Sequence, residues 1–122
     1  MNKRIKFRAW DKEAKKMLYY DTDVVPSMTL NGVLVNEVGS NVSYLFELMQ
    51  FTGLSDKNGK DIYCGDILET FAILASNKID SKPFNVEVKW NESGWIANGS
   101  LTNYQCRISS IIGNIYENKD LL

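Results

Sequence analysis

A chain of 122 residues, 44% hydrophobic and 24% charged, can bury one core and is too apolar for a disordered segment. Fourteen basic residues stand against fifteen acidic ones, a formal charge of −1, so the whole chain lacks the basicity typical of nucleic-acid binders. Histidine is absent, which excludes serine–histidine and cysteine–histidine catalysis and removes the commonest zinc ligand.

The first predicted element is a strand. In "KRIKFRAW", Ile5, Phe7 and Ala9 alternate with Arg4, Lys6 and Arg8, the period of a half-buried antiparallel strand with one apolar and one basic face. "MLYYD" follows a polar "DKEAKK", so residues 3–22 read as a hairpin. Residues 1–16 carry seven basic side chains against Asp11 and Glu13, a local +5, which leaves the remainder at −6. Arg4, Lys6, Arg8 and Trp10 fall on one side of this strand, the charge-plus-aromatic composition of a nucleic-acid surface; the alternative is the wet side of a sheet.

Asn31-Gly32, between "SMTL" and "VLVN", predicts a second hairpin, because both residues tolerate the positive φ of a tight turn. In "GSNVSYLFELMQF" two periods compete. Tyr44, Leu45, Leu48 and Met49 suit a short helix, favoured here, whereas Val42, Tyr44, Phe46 and Leu48 suit a strand.

"FTGLSDKNGKDIYCGDIL", residues 51–68, raises the question of a site. A calcium loop started at Asp56 would need glycine at its sixth position and glutamate at its twelfth; glycine is fourth and the twelfth is Ile67. The acidic pair Asp61 and Asp66 marks no glycosidase without a fixed separation and a partner group. Asn58-Gly59 therefore reads as a turn, and Asp66 as an acceptor of backbone amides where a strand begins.

"DILETFAILA" predicts a long strand, "SNKIDSKP" a loop, and "FNVEVKW" with "WIANG" a third hairpin over residues 84–98. Trp90 and Trp95 flank its turn, either packing the hairpin or presenting a partner-binding surface. "YQCRISSIIGNIY" reads as a last extended pass, and "ENKDLL" as a tail or single helical turn. Gly65 and Gly113 are expected at bends where strands approach closely. The sum is a mainly β fold, a small barrel or orthogonally packed sheet, forming one domain or two packed subdomains at 1–50 and 51–122. Cys64 and Cys106 lie in no CxxC pair and are expected as free thiols. With no apolar run near the length of a membrane span and no signal-peptide core at the amino terminus, a cytoplasmic protein is expected.

Three blocks, "IKFRAWDKEAKKM", "LMQFTGLSDKNGKDIYCGDIL" and "IIGNIYENKDLL", together resemble the signature of the YopX family of phage and prophage proteins. Cys64 departs from a usual glutamate, and Lys119-Asp120 from a proline-containing tail. The resemblance implies a mostly β protein with a Src-homology-3-like barrel in its later part and an origin in a phage or prophage; it supplies no catalytic residue. The expected function is a non-enzymatic accessory protein, with no metal and no cofactor, that binds nucleic acid or a host or phage protein. A self-assembling homo-oligomer is the alternative, and a carboxylate- or thiol-dependent enzyme the minor one.

Overall fold

The computed structural model describes residues 5–23, 25–91, 94–97 and 99–122. The chain divides into two compact units, one over Ile5–Gln50 and one over Phe51–Leu122.

In the first unit, strand β1 (Phe7–Asp11) lies between β2 (Lys16–Tyr19) and the first half of β5 (Phe46–Ser55), antiparallel to both, with Ala9 opposite Leu18 and Leu48. The hairpin agrees with the sequence pattern; the wet basic face does not. Arg8 is 2% exposed, Ala9 0% and Trp10 9%, while Ile5, expected in the core, is 77% exposed. Lateral pairing covers only the edges of β1, and an antiparallel strand can keep one wet face; the burial of Arg8 as well as Ala9 and Trp10 means that side chains from elsewhere cover both faces here, which the alternation of the strand itself does not encode. Arg8 is accommodated by Tyr19: its Nη1 donates to the phenol oxygen over a long 3.4 Å, and its guanidinium carbon lies 5.9 Å from the ring centroid. Lys6 remains nearer the surface, 3.9 Å from Asp21. Arg4 lies outside the described residues.

Two short strands, β3 (Ser27–Met28) and β4 (Leu34–Val35), form the predicted second hairpin and deliver Leu34 to the interior. The ambiguous segment resolves both ways: Ser43–Leu45 makes a single 3-10 turn, and Phe46 onward is extended as β5.

The second unit begins with the other half of β5, paired with β6 (Asp61–Tyr63). Strand β7 (Asp66–Ile73) is central, between β8 (Ile79–Glu87) and β11 (Ser110–Asn114). The predicted third hairpin is narrower than expected, β9 (Lys89–Asn91) against β10 (Gly94–Ile96). Ile62, Leu68, Val88, Ala97, Leu101 and Cys106 form the buried cluster, with Leu54, Val86, Trp95 and Ile111 packed on it. The molecule is mainly β, as expected, and its curled sheets are consistent with a Src-homology-3-like barrel.

Two local expectations are corrected here. Strand β8 starts at Ile79, inside the expected loop, because Pro83 sits in an edge strand where its missing N–H breaks no ladder. Residues Asn103–Arg107 form a helix, α1, rather than extended chain, with the Thr102 hydroxyl oxygen accepting from the Gln105 amide.

One five-residue turn occurs three times among the described residues, at Thr29–Val33, Asn36–Ser40 and Asp56–Lys60. In each, the first residue's N–H donates to the fifth residue's carbonyl, and the glycine at position four donates to the first residue's carbonyl. The fifth residue's N–H donates to the first residue's side-chain oxygen, at 3.1, 3.0 and 2.9 Å respectively. Gly32, Gly39 and Gly59 have φ of 79°, 85° and 81°, the left-handed region that glycine enters without Cβ strain. Asn31 and Asn58 do not share that conformation, so Asn-Gly here closes a longer loop than the two-residue turn it suggests.

Candidate functional surface

The acidic segment is architectural. Asp56 is 6% exposed; its Oδ1 accepts from the amides of Asn58 and Lys60 and its Oδ2 from that of Ile111, each at 2.9 Å. The neighbouring Lys57 amide donates to the Ser109 carbonyl at 3.0 Å. Asp66, 2% exposed, accepts from the Tyr63 amide at 2.7 Å and closes the turn that contains Gly65, as its position before a strand suggested. These charge-assisted bonds from backbone donors tie each carboxylate to its own turn. Among the described residues, no three Cys, Asp or Glu side chains converge as metal ligands do.

Cys64 is half-buried and Cys106 buried, and neither forms a disulfide. Burial, assisted by the Asp56 carboxylate, pushes the Cys106 thiol from 9.0 up to about 11, the opposite of what a nucleophile requires. Around it, Thr70 and Ser109 are fully buried, and the Ser109 hydroxyl donates to Thr70 Oγ1 at 2.6 Å.

The tryptophan pair differs. Trp90 on β9 faces Trp95 on β10 across the hairpin, ring centroids 4.7 Å apart and planes at 65°, an edge contact. Trp95 packs on the core cluster, whereas Trp90 is 63% exposed. One ring is an anchor and the other is displayed on it. On the alternate side of the same hairpin, Lys89 and Ile96 line a groove of about 490 Å³ whose other walls are Phe84, Val86 and Glu87 of β8 and the terminal Leu122. Asn85 pins that terminus: its Nδ2 donates to the Leu121 carbonyl at 2.9 Å. The alternation in "FNVEVKW" anticipated Phe84 and Val86 sharing a face; nothing in the sequence placed Leu122 beside them.

Of the residues first suggested for nucleic acid, the structure buries Arg8 and Trp10 and leaves Lys6 beside Asp21, so it does not assemble them into an open charged face.

The family model for YopX protein matches residues 6–122. The chain belongs to the YopX family. Among solved structures, this YopX-family protein is similar to protein EF1440 from Enterococcus faecalis, with 25% identity over 99% of each chain and a TM-score of 0.68. No curated protein matches it. No helix among the described residues is long and apolar enough to cross a membrane.

Proposed function

We propose that this YopX-family protein is a non-enzymatic accessory protein of phage or prophage origin that acts in the bacterial cytoplasm by binding a partner protein through the Trp90 hairpin. The observation that carries this reading is a large aromatic ring, 63% exposed, held against a second ring that is itself fixed to the core. Rigid, exposed tryptophans are favoured interface anchors, because they bury much apolar area with little further loss of freedom. Glu87 and Lys89 beside the neighbouring groove offer both signs of charge, which suits a protein surface better than a phosphate backbone. The engagement of Asp56 and Asp66 by backbone amides supports the non-enzymatic part.

Self-association is the second reading, through the same hairpin together with the edge of β8, which lies at the outside of its sheet. Lys82 and Pro83 on that strand weigh against strand addition along its first half, since charge and a missing N–H both blunt an edge.

The test is affinity capture of the tagged full chain from phage-infected or prophage-induced cells, in parallel with Trp90→Ala. A defined protein retained by the parent chain after nuclease treatment and lost with the variant supports the reading. Equal recovery by both, or loss of the partner on nuclease treatment, overturns it. Light scattering of the two purified proteins separates self-association from binding to another chain.

A further inference from the structure

The first unit contains an open groove of about 530 Å³, distinct from the tryptophan hairpin, whose walls include Leu18, Val35 and Phe46 and whose rim carries Asp11 and Glu37. We propose that this groove binds an extended peptide segment of a partner protein, one that places a bulky aliphatic side chain next to arginine or lysine.

Charge complementarity selects that occupant. Residues 17–50, which supply most of the groove, contain Asp21, Asp23, Glu37 and Glu47 and neither lysine nor arginine. Lys12, adjacent to the rim in sequence, is directed elsewhere, its Nζ 3.1 Å from both Glu47 Oε1 and the Tyr44 carbonyl. No ion pair among the described residues engages Asp11 or Glu37. Lys16, the cross-strand partner of Asp11, stands nearby on β2 but is absent from the lining, where Asp11 and Glu37 are the charged groups; an apolar trough lined by two carboxylates favours a basic, apolar ligand over an acidic one.

Both carboxylates stand on locally fixed backbone. Asp11 Oδ1 accepts from the amides of Glu13 and Ala14, each at 3.0 Å. Glu37 occupies the second position of the turn that Asn36 closes, with Asn36 Oδ1 accepting from Val38 and Ser40. Val38, 84% exposed, extends the apolar wall outward. A groove with little left to order loses less affinity on binding.

The probe is a synthetic peptide of alternating leucine and arginine, titrated into the full chain and followed by NMR. Saturable shifts of Leu18, Val35 and Phe46 resonances are expected. Peptides alternating leucine with glutamate, or serine with arginine, should bind at least about tenfold more weakly. Glu37→Lys should weaken the leucine–arginine peptide about tenfold while the signals of β1, β2 and β5 keep their positions; Asp11 is left intact because it caps a turn. Trp90→Ala should bind the probe as the parent does, which separates this site from the hairpin. The proposal is overturned if the groove resonances stay still to millimolar peptide, or if the acidic peptide binds equally. It is also overturned if the protein alone shows concentration-dependent groove shifts that Glu37→Lys abolishes, since a second copy would then be the occupant.

Discussion

The Oδ2 of Asp56 accepts a hydrogen bond from the amide of Ile111, 55 residues later in the chain, at 2.9 Å. With Oδ1 shared between two amides of its own turn, this carboxylate joins a local reversal to a distant strand. Asp56→Ala leaves three donors to find other partners and should destabilise the protein by about 3 kcal/mol. Asp56→Asn retains an acceptor for the turn but points an amide group at the Ile111 N–H, and should cost about 2 kcal/mol. Urea midpoints at constant m-value measure both, and a loss under half a kilocalorie for Asp56→Ala would contradict this role.

The raised Cys106 thiol makes stability depend on alkaline pH. Its folded pKa, about 11, exceeds the ordinary 9.0, so the folded protein holds this proton more tightly than the unfolded chain. The associated stabilisation is complete below about pH 9 and is lost as pH rises toward about 11. The Cys106→Ala variant should show a flatter stability curve over that interval. At pH 8, a thiol reagent should label Cys64 readily and Cys106 only on unfolding.

Trp90 and Trp95 should separate in their energetic roles. Trp95→Ala removes a ring packed on the core and should cost about 3 kcal/mol. Trp90→Ala loses mainly the edge contact, about 1 kcal/mol. Thermal unfolding of the two variants distinguishes them, and equal losses would mean that Trp90 is a packing residue like its partner.

Gly113 offers no space for a side chain. A Cβ there would overlap the Asn118 side chain, whose Oδ1 accepts from the Asn114 amide at 3.2 Å. Gly113→Ala should destabilise by about 1–3 kcal/mol, and Asn118→Ala in the same chain should recover part of that loss by opening the space.

The sequence made several of these features legible because their causes are local. Lysine-rich "DKEAKK" between two β-forming runs announces the β1–β2 hairpin, and Asn58-Gly59 announces a turn, though a longer one than the dipeptide suggests. Helix α1 had a readable signal too: Thr102 and Gln105 stand three residues apart, the spacing of a capping box, although the Gln105 side chain turns instead to the Phe71 carbonyl at 3.0 Å. Five residues without an apolar repeat gave periodicity nothing to detect. Arg8 was illegible for a different reason. Its burial depends on side chains from elsewhere, the Tyr19 ring opposite among them, none of which is encoded in the alternation of the strand itself. The grooves were hidden likewise, since each joins residues separated by tens of positions.

The thrice-used turn confines its structural demands to its first, fourth and fifth residues. The intervening side chains, Leu30 and Asn31, Glu37 and Val38, Lys57 and Asn58, all project into solvent. Substitution of these pairs should therefore leave the chain reversing in the same place, so that the chemistry displayed at each turn, the groove rim at Glu37 and Val38 included, can change independently of the fold.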